Sequence, residues 1–267
     1  MIAKKIQTAL QTISISVLSL SFIFLTTSCA KSGQFPSSSS GTGSTPADSA
    51  SGTNGSSSTD TGGSSSPAPT PAPAPQYKMT ALSWESSAHP ERTQWSQYLQ
   101  NIILNQWSSL LPGADDMSTF CPKYDTLDND HRANVWAALF SGVAKYESGY
   151  SPTSRYLEGT MGTDPITGNS VYSEGLLQLS YQDIQVYPFC QFDWSKDKNL
   201  SPTDPTKTIL DPDKNLYCGV GIMAKQISKH GRITITSGVY WSTLKPGGSY
   251  QQISGIAAVV KQLPFCN

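Results

Sequence analysis

The sequence contains little charge and few histidines. Of its 267 residues, 14% are Asp, Glu, Lys or Arg, the formal net charge is −1, and there are three histidines. A nearly neutral chain lacks the basic surface that nucleic-acid binding requires, so we expect no nucleic-acid partner. Because no cysteine pair has the CxxC spacing and histidines are rare, we also expect no metal site and no cofactor.

The chain also lacks an apolar run as long as a membrane-spanning helix, which needs about 20 apolar residues. Its apolar run, about residues 13–25, follows Lys4 and Lys5 and ends in "LTTSCA". This pattern predicts a secretory signal peptide over residues 1–28. Cys29 resembles the lipidated cysteine of bacterial lipoproteins, although Thr26 stands where that family prefers Leu.

Three interpretations of this N-terminus remain open. The preferred one is a periplasmic or cell-envelope lipoprotein attached to the membrane through a lipid on Cys29, with release from the cell as a variant. The alternatives are a soluble secreted protein and an uncleaved anchor. All three export the rest of the chain. Residues 29–76 are rich in Ser, Gly, Thr, Pro and Ala and end "PAPTPAPAPQ", so we predict a disordered tether with too little apolar surface to fold.

The four remaining cysteines are an even number in an exported domain, which predicts two disulfides. Three connectivities can be drawn. We favour Cys121–Cys266, which would join an early loop to the end of the domain, and Cys190–Cys218, which would attach a central loop to a helix.

Residues 77–267 predict one mainly helical domain, which we expect to be a monomer. Apolar residues at helical spacing predict helices from about Trp95 to Leu111 and from Asp130 to Tyr146. Further helices are expected to start at Ser180, at Asp211 (ending at Gly231) and after Ser249. "RITITSGVYW" is strand-like, and "TMGTDPITGNSVYSEG" predicts a loop or hairpin insertion.

Glu147 stands out because its spacing from Val143 puts it on the apolar side of the second helix, in the last turn. Low polarity and the negative end of the helix dipole both raise the pKa of a carboxyl group. An acid that keeps its proton near neutral pH can donate it to the leaving oxygen of a glycoside. A solvated glutamate at a helix end is the ordinary alternative.

Three motifs around this position resemble lytic transglycosylases and goose-type lysozymes. "ESGYSP", which begins at Glu147, is similar to their opening motif, and "GLLQLS", at residues 175–180, is similar to their second. "DPDKNLYCGVGIM", at residues 211–223, is similar to a later helix. The resemblance covers about residues 136–263 and implies a lysozyme-like α+β fold with a small β or loop insertion beside the cleft.

The resemblance also implies roles for individual residues. Glu147 aligns with the catalytic acid, Ser148 with a residue that helps to hold it, and Gln178, with Leu177 beside it, with a residue that lines the cleft. Tyr240 aligns loosely with an aromatic that contacts the sugar or positions the acid. Tyr172 is a further candidate for sugar contact, because aromatics with a polar tip suit sugar grooves.

The sequence departs from the family pattern in two places. An insertion at about residues 157–173 carries Glu158 and is expected to overhang the cleft. Glu174 stands directly before Gly175, where a small residue is usual, and is a candidate second carboxylate. Such a carboxylate could activate water, stabilise a cationic transition state or pair with the free amine of deacetylated glucosamine.

We therefore expect a lysozyme or lytic transglycosylase that cleaves β-1,4 bonds between the amino sugars of peptidoglycan strands, and we take a preference for deacetylated strands as a hypothesis. The alternatives are a peptidoglycan-binding envelope lipoprotein without catalysis and a structural or adhesin-like surface lipoprotein. The aligned acid favours the enzyme, since a protein that only binds glycan has no need of a proton donor.

Overall fold

The computed structural model describes residues 77–267. The predicted signal peptide, lipidated Cys29 and tether lie outside the described residues. The described part is mainly helical, with one small antiparallel sheet. Its helices are α1 (Arg92–Asn105), α2 (Asn129–Glu147), α3 (Asp183–Val186), α4 (Trp194–Asp197), α5 (Pro212–His230) and α6 (Ile253–Val260); its strands are β1 (Arg155–Leu157) and β2 (Tyr172–Glu174). No helix between residues 77 and 267 is long and apolar enough to cross a membrane.

Helix α2 is the centre of the core and packs against α1 and α6. Every residue from Ala133 to Ala144 is buried. A Cβ on Gly142 would lie 3.0 Å from Cγ2 of Ile256 in α6, so a glycine lets the two helices approach closely. The start of α2 is set by a local cap, because the Asp128 side chain accepts a hydrogen bond of 2.9 Å from the His131 backbone amide. Since α2 ends at Glu147, the best-buried helix carries that carboxyl.

The boundaries of the other long helices follow their local signals. Helix α5 begins with Pro212 behind the capping carboxylate of Asp211 and ends at Gly231, which has a φ of 67°. Helix α1 is shorter than predicted: it ends at Asn105, and a 3₁₀ turn at Ser108–Leu110 follows. Helix α4 was not predicted.

The strand predicted in "RITITSGVYW" is wrong, since residues 232–241 form bends and no strand. The amides of Ile233 and Thr234 donate to the carboxylate of Asp116 at 2.8 and 2.9 Å. The side-chain Nε2 of Gln226 donates to the backbone carbonyl oxygens of Arg232 and Ile233 at 3.1 and 2.7 Å. Side chains therefore take the hydrogen bonds that a neighbouring strand would otherwise supply.

The insertion forms the hairpin that the sequence allowed, with Arg155 opposite Glu174 and Leu157 opposite Tyr172. Both favoured disulfides, Cys121–Cys266 and Cys190–Cys218, are present, so that prediction is confirmed. Disulfides indicate an oxidising environment for this part of the chain.

Candidate active site

Glu147 lies half-buried at the last residue of α2, with its backbone held by a tight helix end. The Ser148 amide and hydroxyl both donate to the Ala144 carbonyl, at 3.0 and 3.1 Å. Gly149 and Tyr150 then adopt left-handed backbone conformations, with φ of 61° and 67°. Ser148 thus fixes the helix end that presents the carboxyl, and its hydroxyl does not contact the carboxyl.

The surroundings of Glu147 favour its neutral form. Burial raises the pKa of Glu147 from its ordinary value of 4.5 to about 7. The Thr243 hydroxyl, which donates a hydrogen bond of 2.7 Å to Oε1, lowers the pKa of Glu147, whereas the negative charge of Glu158 raises it. Near neutral pH this carboxyl can therefore both give and take a proton.

Glu158 lies just after β1, and its Oε1 accepts a hydrogen bond of 2.5 Å from the hydroxyl of Ser173 in β2. It is half-buried, and its amide donates to the Val171 carbonyl at 3.0 Å. Both partners, Val171 and Ser173, lie on the second half of the hairpin, so the hairpin sets the position of the Glu158 carboxylate.

Glu174, predicted as the second carboxylate, is 3% exposed and lies in a buried ion pair. Its Oε2 lies 2.6 Å from Nζ of Lys207, which is also 3% exposed, and its Oε1 lies 3.5 Å from Nε of Arg155. The pKa of Glu147 responds to Glu158, and Glu174 is not among the groups that shift it. Both cationic partners of Glu174 thus lie within the buried part of the domain, and the negative charge that raises the pKa of Glu147 is that of Glu158.

The "GLLQ" segment forms a tight loop closed by reciprocal hydrogen bonds between the backbones of Glu174 and Leu179, at 2.7 and 2.9 Å. Asn215 of α5 holds it from below: its Oδ1 accepts from the Leu177 amide at 2.8 Å, and its Nδ2 donates to the Glu174 carbonyl at 3.1 Å. Any other residue at position 175 would clash, because a Cβ there would lie 2.3 Å from Nδ2 of Asn215. The helix motif "DPDKNL" therefore supports the loop motif physically.

Gln178 adopts a left-handed conformation with a φ of 52°, which is strained for a residue other than glycine. Its Nε2 donates to the Gly175 carbonyl at 2.9 Å, and its side chain is half-buried. Leu177, predicted as a substrate contact, is fully buried, and its carbonyl accepts from the Trp241 indole at 2.8 Å. Leu177 is thus a core residue that supports the loop, and Gln178 is the one accessible to a ligand.

Tyr240 donates a hydrogen bond to Oδ2 of Asp183, which also accepts from the Ser180 amide at 2.7 Å. Burial raises the pKa of Asp183 and the pKa of Tyr240. The charge of Glu147 also raises the pKa of Tyr240, so the two groups interact electrostatically. Tyr240 and Tyr187 line a recess of about 310 Å³. Tyr172, in contrast, is covered by the guanidinium of Arg155, whose Cζ lies 3.2 Å from the centre of the Tyr172 ring.

Two residues of this arrangement were missed by sequence reasoning, and both lie far along the chain from their partners. Thr243 is 96 residues from Glu147, and Lys207 is 33 residues from Glu174. A lone threonine in "YWSTL" carries no periodic or spacing signal. Lys207 follows "SPTDPT", which resembles any surface loop.

No family model matches the chain, and no curated protein matches it. Among solved structures, the chain is similar to Bd0314 DslA, wild-type form 2, with 28% identity and a TM-score of 0.58 over 72% of this chain and 100% of that chain. Two glutamate-to-glutamine mutants of Bd0314 DslA match at 28% identity, with TM-scores of 0.58 and 0.55. The two glutamates replaced in those mutants lie eleven residues apart, which is also the separation of Glu147 and Glu158 in this chain.

Proposed function

We propose that the protein is a lysozyme-like enzyme that cleaves β-1,4 bonds between the amino sugars of peptidoglycan strands. The observation that carries the proposal is the Glu147 carboxyl, half-buried at the end of α2 with its pKa raised to about 7. In this proposal Glu147 donates its proton to the leaving glycosidic oxygen.

Further observations support the same assignment. The "ES" and "GLLQ" motifs and the α5 motif occur in the order of the lysozyme-like family, and the described fold is mainly helical with a small hairpin insertion. In the similar protein Bd0314 DslA, two glutamates with the spacing of Glu147 and Glu158 have been replaced by glutamine. Replacement of a glutamate by glutamine removes a proton donor while keeping its shape, so it is a natural test of an acid.

Glu158 is our candidate for the second carboxylate in place of Glu174. Departure of the leaving group creates positive charge at the sugar ring, and a carboxylate close to that ring stabilises it or orients an attacking water. Glu158 is half-buried and is held by Ser173, whereas Glu174 is already neutralised by Lys207. A carboxylate at the Glu158 position would also attract the free amine of a deacetylated glucosamine, which gives the preference for deacetylated strands a physical basis.

The cellular setting is part of the proposal. The two disulfides suit an exported domain. The "LTTSCA" pattern at Cys29 supports a lipid-anchored envelope protein whose Ser/Gly/Pro-rich segment, residues 30–76, lets the catalytic domain reach the glycan. Peptidoglycan is then the polymer within reach of the domain.

The test is digestion of acetylated and chemically deacetylated sacculi in parallel, followed by mass spectrometry of the released muropeptides. We expect soluble products cut between amino sugars, with more product from deacetylated sacculi. The product masses also distinguish a hydrolysed end from an anhydro sugar. Equal rates on both substrates would remove the deacetylation preference, and absence of any soluble product from both would refute the enzyme.

A matched set of variants separates the enzyme from a protein that only binds glycan. Glu147→Gln is expected to release no muropeptides while it still sediments with sacculi, because shape is kept and the proton is lost. Glu91→Gln changes an exposed glutamate at the start of α1 and is expected to behave as the unchanged protein. Unchanged turnover by Glu147→Gln would refute the assignment of the acid.

A further inference from the structure

A second recess lies on the face of the hairpin opposite to Glu158. Side chains alternate along a strand, and in β2 Ser173 contacts Glu158, whereas its neighbours Tyr172 and Glu174 line a recess of about 200 Å³. Asp197 and Trp194 of α4 also line this recess. We call this space the hairpin recess. It belongs to the insertion and to α4, and the proposed mechanism does not use it.

Asp197 is the unusual group in the hairpin recess. It is 1% exposed, and its Oδ2 accepts hydrogen bonds from the Tyr181 hydroxyl at 2.7 Å and from the Thr208 amide at 2.8 Å, as well as from the Thr208 hydroxyl. Its Oδ1 is buried and has no hydrogen-bond partner among the described residues. No Lys, Arg or His of residues 77–267 forms an ion pair with it. Buried carboxylates are normally paired with a cation or fully hydrogen-bonded, so this oxygen lacks the partner that such a group usually has.

The other two buried carboxylates of the recess are paired with cations or hydrogen-bonded. Glu174 is paired with Lys207 and Arg155. The oxygens of Asp164 accept from three backbone amides at 2.8 to 3.2 Å. Oδ1 of Asp197 is therefore the carboxylate oxygen among these three residues that has neither a hydrogen bond nor an ion pair.

Three cationic side chains also line the recess: Arg155 and Lys207 are paired with Glu174, and Lys198 is exposed. The unpartnered oxygen of Asp197 nevertheless favours a cationic donor of limited size. A donor that carries positive charge forms a stronger hydrogen bond to a carboxylate than a neutral donor does. The half-buried indole of Trp194 adds an aromatic surface that favours a cation. About 200 Å³ holds one monosaccharide or one amino-acid residue and is smaller than the typical drug-sized pocket, which is roughly 300–1,000 Å³.

We propose that the hairpin recess binds a primary ammonium group carried on a single residue of monosaccharide or amino-acid size, with the ammonium donating to Oδ1 of Asp197. Amino sugars with a free amine and amino-acid side chains share this chemistry. That a cell wall supplies the ligand rests on the proposed function, but the binding itself does not. Because β2 separates the recess from Glu158, an occupant would contact the strand that holds the second carboxylate.

The experiment is an NMR titration of the Glu147→Gln variant, which separates binding from turnover. The probes are D-glucosamine, N-acetylglucosamine, glucose and Nα-acetyl-lysine amide, and the signal is the indole N–H of Trp194. We expect a dissociation constant on the order of 1 mM for glucosamine or for the lysine derivative, as is usual for so few atoms. N-acetylglucosamine and glucose are expected to bind at least tenfold more weakly.

Every outcome of the titration decides the proposal. Binding of both amines supports the shared chemistry, and binding of one of them identifies its source as the sugar or the peptide. Equal binding of glucosamine, N-acetylglucosamine and glucose would show a neutral sugar site and overturn the proposal. No shift of the Trp194 signal with any probe would also overturn it. Neither result would touch the role of Glu147, since that residue is already replaced.

Two variants, each made in the Glu147→Gln background, give an independent check. Asp197→Asn keeps the size of the side chain and removes its charge, and we expect at least tenfold weaker amine binding. If Asp197→Asn does not fold, Ser170→Phe decides, because Ser170 is exposed and lines the recess, so a phenyl ring there would fill the recess without touching the buried ions. Asp125→Asn, at an exposed aspartate elsewhere, is the control for charge. Amine affinity unchanged in a folded Asp197→Asn or in Ser170→Phe would refute the site.

Discussion

The hydroxyl of Thr243 donates a hydrogen bond of 2.7 Å to Oε1 of Glu147, although the two residues are 96 positions apart in the chain. Thr243 is 5% exposed and belongs to a short 3₁₀ turn, Ser242–Leu244, that packs against α2. This bond stabilises the ionised carboxylate, so it opposes the effect of burial. The pKa of the candidate acid therefore reflects a balance that single substitutions can shift in either direction.

The first prediction concerns Thr243→Val, which keeps the shape of the side chain and removes the donor. The pKa of Glu147 is expected to rise further above 7, by up to about one unit, since one hydrogen bond contributes about 0.5–1.5 kcal/mol. Because the proton donor is the active form, the alkaline limb of the pH–activity profile should move to higher pH. Thr243→Ser keeps the hydroxyl and should leave the limb in place; equal shifts in both variants would mean that packing, and not the bond, sets the pKa.

The second prediction concerns Glu158→Gln, which removes the negative charge that raises the pKa of Glu147. The alkaline limb of the activity profile should move to lower pH, in the direction opposite to Thr243→Val. If Glu158 also stabilises the transition state, the maximal rate should fall by about 10²-fold or more, as when one electrostatic partner is lost from an active site. If Glu158→Gln keeps the maximal rate of the unchanged protein and its alkaline limb stays at the same pH, Glu158 has no part in the mechanism.

The third prediction tests the structural role of Glu174. Glu174→Gln leaves the ammonium of Lys207 buried without its partner, so the free energy of unfolding should fall by about 3–5 kcal/mol. The double variant Glu174→Leu with Lys207→Met removes both charges and should recover much of that loss. Chemical denaturation with intact disulfides measures both. A single variant as stable as the unchanged protein would contradict the structural role and restore Glu174 as a candidate for chemistry.

The fourth prediction is a cost of the raised pKa. Glu147 has a pKa of about 7 in the folded protein and an ordinary value of 4.5 when unfolded, so the folded state holds its proton more tightly. As the pH rises from 4.5 through 7, this difference should remove up to about 3 kcal/mol of stability. Glu147→Gln lacks the titration and should lose less stability over that range. Thermal unfolding of both proteins at pH 4 and pH 8 measures the difference; identical pH dependence in the two would show that Glu147 does not titrate abnormally.

Local signals predicted the elements that local chemistry controls. The apolar spacing of α2 predicted a helix from about Asp130 to Tyr146, within one residue at each end of the observed Asn129–Glu147. Asp211 and Gly231 predicted the bounds of α5. The prediction of a strand over residues 232–241 was wrong because the backbone there is hydrogen-bonded to the side chains of Asp116 and Gln226. The local sequence pattern does not reveal these partners.

The partners of Glu158 and Glu174 could not be predicted, because they depend on tertiary contacts. Glu158 and Glu174 flank one hairpin, and nothing in their local sequence says which carboxylate is neutralised. The structure decides this through Lys207, which lies on another segment and forms an ion pair with Glu174. Likewise, the resemblance implied that both Leu177 and Gln178 lie at the cleft, whereas the loop buries Leu177 and leaves Gln178 partly exposed.

The most direct test of the account is a ¹³C NMR titration of the Glu147 side-chain carboxyl, with Glu147→Gln used to assign the signal. We predict a titration midpoint near 7 that coincides with the alkaline limb of muropeptide release. A carboxyl that titrates near 4.5 would be ionised at neutral pH and unable to donate a proton to the glycosidic oxygen, and this result would contradict the central claim.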